Sequence, residues 1–195
     1  MEEEMKLFVV QLGGRAEGCN TELHDNVFVV GESIDDTYPK LLDKWFGSEM
    51  GLHMDCYAEL KYIDGYEVNV EKERPVEAGD DKLFFINYGA YIPGKYFEVH
   101  EIAFYVAKER SGAVRKAKSQ LCQGMYTPHL DDDFELKGAL DVPGADVDDV
   151  IELSSVDQFH IHLSKTDHPE ELIVHNGYKP FGKKGWNKEK TLIVS

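Results

Sequence analysis

Apolar residues gather in short runs along this chain, and their spacing predicts two kinds of element. LFVVQL (7–12) is apolar on both faces, which predicts a strand in the middle of a sheet. A glycine-containing loop, GGRAEGCN, follows, and ELHDNVFVV (22–30) reads as a second strand. Ser33 and Asp36 then form a Ser-x-x-Asp cap signal. Ile34, Tyr38, Leu41, Leu42, Trp45 and Phe46 recur at helical spacing, with Gly47 as the stop. Pro39 fits only a first turn, so the helix starts near Asp35 or Asp36. YAELKYIDGYEVNV (57–70) alternates on either side of Asp-Gly and predicts a hairpin. The unit reads as ββαββ.

The pattern then repeats. Lys6–Gly31 aligns without gaps on Lys82–Ala107 at an offset of 76, with nine of 26 positions identical, among them Gly13/Gly89, Glu22/Glu98 and His24/His100. TELHDNVFVV (21–30) thus answers FEVHEIAFYV (97–106), each a Glu-x-His followed by an acid and an apolar run. The same offset matches LHMD (52–55) to PHLD (128–131). YAELKYIDGYEVNVEK (57–72) fits VIELSSVDQFHIHLSK (150–165) at an offset of 93, which predicts a 17-residue insertion in the second copy. A rival register, AELK (58–61) on FELK (134–137), needs no insertion. The later one is preferred because it reproduces a whole apolar-turn-apolar pattern. The second copy predicts a helix over Ser111–Cys122 and hairpin strands at 150–155 and 159–164.

The expected fold is therefore α+β: a tandem duplication of a ββαββ unit, its halves packed with pseudo-two-fold symmetry, plus a C-terminal extension. The expected boundaries are 5–72 for the first repeat, 73–81 for the connector, 82–165 for the second repeat with its insertion near 132–148, and 166–195 for the extension. In the extension, ELIVHNGYKPF carries an Asn-Gly turn signal. GKKGWNKEK is a basic stretch containing Lys183, Lys184, Lys188 and Lys190, and TLIVS reads as a last strand.

Charge narrows the partners. The formal net charge is −16, with 30% charged and 42% hydrophobic residues, which suits a soluble globular protein and disfavours nucleic acid and anionic membranes. A small molecule, a cation, a basic protein partner or a second copy of the chain, as a homodimer, stays open. Three cysteines, Cys19, Cys56 and Cys122, without a C-x-x-C, read as free thiols in a reducing, cytoplasmic setting. The N-terminus is acidic where a secretory signal is basic, and no apolar run approaches membrane-spanning length.

KLFVVQLGGRAEGCNTELHDNVFVVGESIDDTYPKL, running into W-F-G, H-M-D and L-K-Y-I-D-G-Y-E-V, resembles the bacterial domain-of-unknown-function family 1543. The resemblance is strong over residues 5–70, and 82–165 looks like a more diverged copy. It implies a fold and brings no activity, cofactor or catalytic residue. In the second copy GAYIPGKYFEVHE replaces GGRAEGCNTELHD, so the places of Arg15 and Asn20 are taken by Tyr91 and Tyr96.

On a strand, Glu22 and His24 point to one face and Asp25 to the other, and His53 and Asp55 share a face if extended. An imidazole with one or two carboxylates is a ligand set for a divalent metal and the minimum for acid-base chemistry. The metal candidates are His24, His53, Asp55, His100, His129 and Asp131. The ligand-binding candidates are Arg15, Glu22, His24, Asp25, Glu98, His100 and Glu101, lining a groove expected between the halves. The bland alternative is that each His braces a loop against a carboxylate, which a fold built twice needs in both copies. GGRAEGCN fails as a phosphate loop because it leads into a strand and lacks Gly-Lys-Ser/Thr. His-x-His (160–162) is a weak metal signal, and His168 and His175 fall in expected loops. No cofactor is predicted, with a divalent metal kept open. The functional expectation is a non-enzymatic protein that binds a small ligand or another protein. The alternative is a metal-dependent hydrolase or isomerase.

Overall fold

The computed structural model describes residues 4–74, 79–92, 94–123, 127–128, 146–170, 172–182, 185–187 and 190–194. Two units emerge, one of Met1–Val76 with Ser155–Ser195 and one of Glu77–Ser154. In chain order the elements are β1 (Lys6–Arg15), β2 (Leu23–Gly31), a 3-10 turn (Ile34–Thr37), α1 (Tyr38–Lys44), β3 (Ser48–Glu59), β4 (Tyr62–Ile63) and β5 (Tyr66–Glu71). Then come β6 (Lys82–Tyr91), β7 (Val99–Ala107), α2 (Arg110–Gln120), β8 (Thr127–Pro128) and β9 (Asp146–Glu152). The chain ends with β10 (Ser155–Val156), β11 (Phe159–Lys165), β12 (Val174–Gly182), β13 (Gly185–Trp186) and β14 (Leu192–Val194).

In the first unit β1 lies between β2 and β3, antiparallel to both. This is the central place its two apolar faces predict: Phe8, Val10 and Leu12 are buried on one face, Leu7 and Val9 on the other. The first set joins Val27, Val29, Leu41, Trp45, Leu52 and Met54 in the core under α1. Each such aliphatic side chain contributes about 1.5–3 kcal/mol by its burial. The backbone N–H and hydroxyl of Ser33 both donate to Asp36, which caps the 3-10 turn, and Pro39 sits in the first turn of α1. Gly47 does not stop the helix by its backbone freedom. A Cβ there would stand 2.5 Å from the Arg15 carbonyl oxygen, so it is the close approach of β1 that demands glycine.

The expected ββαββ unit is not what forms. Residues 48–59 make one long strand that joins the main sheet beside β1, and only 62–71 form the hairpin. LHMDCYAE runs unbroken as a strand, so Tyr57–Glu59 ends β3 and is not a hairpin arm. The Asp-Gly turn itself is as expected, with φ positive at both Asp64 (53°) and Gly65 (82°). The fold is a mixed, strand-rich one with two helices among the described residues.

The β4–β5 hairpin belongs to a second sheet of the same unit, ordered β10-β11-β5-β4. Asp157, in the β10–β11 turn, accepts a hydrogen bond from the Val30 N–H (2.9 Å) and pairs with Lys44 (2.8 Å) of α1. The extension completes the main sheet: β12 lies beside β3, with β13 and β14 on β12. Asn176-Gly177 makes no chain reversal; β12 runs through it with a register shift before Lys179. His175, expected in a loop, is therefore on a strand, stacked on Tyr57. TLIVS supplies β14 as expected. The Tyr38 hydroxyl donates to the Gly182 carbonyl, and its ring packs on Phe181 and Trp186. Of the basic stretch, Lys183, Lys184 and Lys188 lie outside the described residues.

In the second unit β6 lies between β7 and β9 and also pairs with β8. Ala113, Val114 and Ala117 of α2 are buried with Phe84, Ile86 and Tyr105. Residues 146–148, expected to close a loop insertion, are already strand. Gly13 pairs with His24 and Gly89 with His100, at the offset of 76. Phe8 pairs with Glu59 and Phe84 with Glu152, the latter partners at an offset of 93. Lys40 donates to the Val30 carbonyl (2.6 Å) and Lys116 to the Val106 carbonyl (2.8 Å). Among the described residues no helix is long and apolar enough to cross a membrane.

Candidate functional site

A glycine in the central strand builds the site. Gly13 of β1 pairs with His24 on one side and His53 on the other, so three residues form a row across the sheet. Gly13 has no side chain to hold the imidazoles apart. A Cβ there would lie 2.4 Å from His53 Nε2 and 2.8 Å from Asp55 Oδ2. The flanking groups fill that space instead. His24 Nε2 stands 3.2 Å from Asp55 Oδ2 and 3.6 Å from Glu22 Oε1. His53 Nε2 stands 3.4 Å from Asp55 Oδ1 and 3.7 Å from Glu22 Oε1.

Asp55 owes its place to a β-bulge. Gln11 pairs with Cys56 and Leu12 with Met54, so Asp55 is the extra residue with no partner on β1. Bulges recur where a strand must aim a side chain away from the regular ladder. His53 is 3% exposed, whereas Glu22 and His24 are open to solvent. The pocket therefore has a buried floor and an open side. His53 Nδ1 lies 2.8 Å from the Gly51 carbonyl oxygen. A carbonyl only accepts, so Nδ1 donates to it and Nε2 is left facing two carboxylates. A cation among these groups would satisfy them together. The Tyr178 ring lies against His53 at a centroid distance of 4.6 Å.

The second unit has the same plan. Gly89 pairs with His100 on β7 and with Asp146 on β9. Asn87 pairs with Asp149 and Tyr88 with Val147, so Asp148 occupies the bulge. His100 Nε2 lies 2.9 Å from Asp148 Oδ2 and 3.5 Å from Glu98 Oε2. A Cβ on Gly89 would stand 2.5 Å from Glu98 Oε1 and 2.6 Å from Asp148 Oδ2. In each unit three donor atoms, from Glu22, His24 and His53 or from Glu98, His100 and Asp148, lie within 4.8 Å of one another. Both sets fit a divalent cation by donor type.

Of the residues singled out from sequence, Glu22, His24, His53 and Asp55 converge, and so do Glu98 and His100. Each cluster is assembled from strands of its own unit. Arg15 instead donates to the Asn20 carbonyl within its loop (3.4 Å). Asp25, opposite Leu12, is not part of the cluster. Glu101 accepts from the Cys122 N–H (2.6 Å) just past α2. His129 and Asp131 lie outside the described residues. The expected pairing of His53 with His129 therefore falls outside the described residues, among which Asp146 stands opposite Gly89 as His53 does opposite Gly13. Sequence reasoning missed Gly13, Gly89, Asp148 and Tyr178. Running the offset of 93 back from 57 to 55 finds Asp148. His162, of the His-x-His pair, lies 3.7 Å from Glu71 and joins no three-donor cluster among the described residues.

Thiol chemistry has no support beside the cluster. Burial and the neighbouring Asp55 charge raise the Cys56 thiol above its ordinary value, which keeps it protonated. All three cysteines are free.

Residues 19–70, which include Glu22, His24, His53 and Asp55, match in a single copy the family model described as Domain of Unknown Function (DUF1543). Among solved structures, the chain is similar to protein Il1583 from Idiomarina loihiensis, known from its crystal structure. The two share 29% identity with a TM-score of 0.66, over 92% of this chain and 99% of that one. No curated protein matches the chain.

Proposed function

We propose that this is a binding protein, built by tandem duplication, in which the His/carboxylate cluster of each unit takes a small cationic ligand. One observation carries the reading: each unit places a Glu-x-His pair and a bulged aspartate around a glycine of its central strand. A loop brace needs one hydrogen bond. A row with two or more acceptors gathered over a glycine, with its outer imidazole solvent-accessible, suits a positively charged guest. The net charge of −16 attracts such ligands over a distance. The shared registers and bulges of β1–β3 and β6–β9 support the duplication, as do Lys40 and Lys116, one lysine tethering each helix. Three free thiols support a reducing, cytoplasmic setting.

The reading as a metal-dependent hydrolase or isomerase keeps one supporting observation, the open side at Glu22 and His24, where a substrate could reach a bound ion.

Thermal melts with a panel of divalent cations and small diamines test the proposal. A ligand at a hundred times its Kd stabilises the folded state by about 2.7 kcal/mol. Some member of the panel raises the melting temperature of the wild type, and the Glu22→Gln/Glu98→Gln double variant loses that rise. A panel that leaves the wild type unmoved refutes the proposal.

A further inference from the structure

We infer that the cluster of the first unit is a selective site for a borderline transition-metal ion of the zinc, cobalt and nickel class, held by His24, His53, Glu22 and Asp55. The inference rests on the reading of that cluster as a cation site and names the class of cation.

Donor type is the first argument. Among the described residues the first unit offers two imidazole nitrogens with its carboxylates, whereas Glu98, His100 and Asp148 offer one nitrogen and two carboxylates. Imidazole suits zinc-class ions, and all-oxygen sets suit magnesium and calcium. Two nitrogens place the first site firmly with the former.

The state of His53 is the second argument, independent of the acid count. Its ring is almost wholly buried, its Nδ1–H is committed to the Gly51 carbonyl, and Nε2 is aimed into the cluster without a hydrogen bond of normal length. Metal-bound histidines show this arrangement, in which a backbone carbonyl on one nitrogen fixes the ring and makes the other a better ligand. A brace would use Nε2 in a close hydrogen bond.

Spacing is the third. Glu22 Oε1 stands 3.6 and 3.7 Å from the His24 and His53 nitrogens, and Asp55 offers one oxygen to each ring, Oδ2 at 3.2 Å from His24 and Oδ1 at 3.4 Å from His53. A tetrahedron with arms of about 2.0–2.1 Å, the zinc–nitrogen and zinc–oxygen lengths, has edges of about 3.3–3.4 Å. Octahedral magnesium at the same arm length needs adjacent ligands only about 2.9 Å apart. The absence of a side chain on Gly13 keeps the centre of this set clear of carbon.

The test uses the full chain without a His tag, stripped with a chelator, and Co2+ as a coloured stand-in for Zn2+. One equivalent of Co2+ binds with the intense visible bands of four-coordinate cobalt. Zn2+ bleaches them and millimolar Mg2+ does not. His24→Ala, at an exposed position, weakens Co2+ binding by about 100-fold or more. Glu22→Gln, which keeps the side chain's shape, weakens it as well, and His100→Ala leaves the bands in place. The inference is overturned by weak octahedral bands, by displacement with Mg2+, by bands that survive His24→Ala, or by bands lost in His100→Ala. If a cation binds at this cluster but Mg2+ competes equally, the inference alone fails. If no cation or diamine changes the spectrum or the melting temperature, the binding proposal fails with it.

Discussion

Gly13→Ala is the substitution that most directly tests how the first cluster is built. The added Cβ would meet His53 Nε2 at 2.4 Å and Asp55 Oδ2 at 2.8 Å, where ordinary contact begins near 3.4 Å. The imidazole must therefore retreat by about 1 Å. It has little freedom to do so, because Nδ1 holds the Gly51 carbonyl and the ring lies against Tyr178. Overpacking of this kind costs about 1–3 kcal/mol. Breaking the Nδ1 hydrogen bond adds about 0.5–1.5 kcal/mol. Alanine offsets about 0.5–1 kcal/mol, because it loses less backbone entropy than glycine on entering a strand. The net expectation is a loss of about 1–3 kcal/mol, or a fall in melting temperature of about 2–12 °C for a chain of this size. Urea denaturation of Gly13→Ala, His53→Ala and the double variant checks it. With His53 truncated the shorter contact is gone and only the flexible end of Asp55 has to turn aside, so the Gly13→Ala cost should shrink to about 0.5 kcal/mol or less. A single variant as stable as the wild type refutes the reasoning. So does a cost that is unchanged in the His53→Ala background.

Two further outcomes follow from other parts of the fold. Asp157→Ala leaves the buried Val30 N–H without its acceptor and Lys44 without its partner, at a cost of about 2–3 kcal/mol. Truncating the exposed Lys82–Glu152 pair by Lys82→Ala costs about 0.5 kcal/mol or less, so equal losses in urea melts would refute this account. Burial, and then the charge of Glu101, push the Cys122 thiol up to about 11 from 9.0. Its folded value is raised, so its contribution to stability is present below pH 9 and declines as the pH climbs toward 11. Glu101→Gln removes the charge but not the burial, so native-state alkylation of Cys122 should set in at lower pH than in wild type, yet still above pH 9. An unchanged alkylation profile would show that Glu101 does not act on the thiol.

Local chemistry made much of this legible. The two apolar faces of 7–12 predicted the central place of β1, and the φ-positive turn at Asp64-Gly65 followed from Asp-Gly. The Ser33–Asp36 cap was readable for the same reason, since capping involves residues three apart. Asn176-Gly177 misled because its turn preference was overridden by β3, along which β12 pairs on both sides of the dipeptide. The Glu-x-His pairs were readable as ligands because alternation on a strand puts both on one face. Their partners were harder, since which aspartate arrives opposite depends on the register of a strand some 30 or more residues away in sequence.

By itself the sequence determined that Glu22 and His24, and Glu98 and His100, act as pairs, because residues two apart on a strand share a face whatever surrounds them. It also determined where the central strands lie and that two stretches carry the same pattern. Only the tertiary structure decided that Gly13 and Gly89 are the floors of the clusters. A glycine's importance there lies in a side chain it lacks, and that shows only when the neighbours crowding its place are known. Strand pairing likewise decided that Asp148 joins Glu98 and His100 in the described cluster of the second unit. The bulge that presents it exists only between β6 and β9, as a mismatch of one residue between two strands.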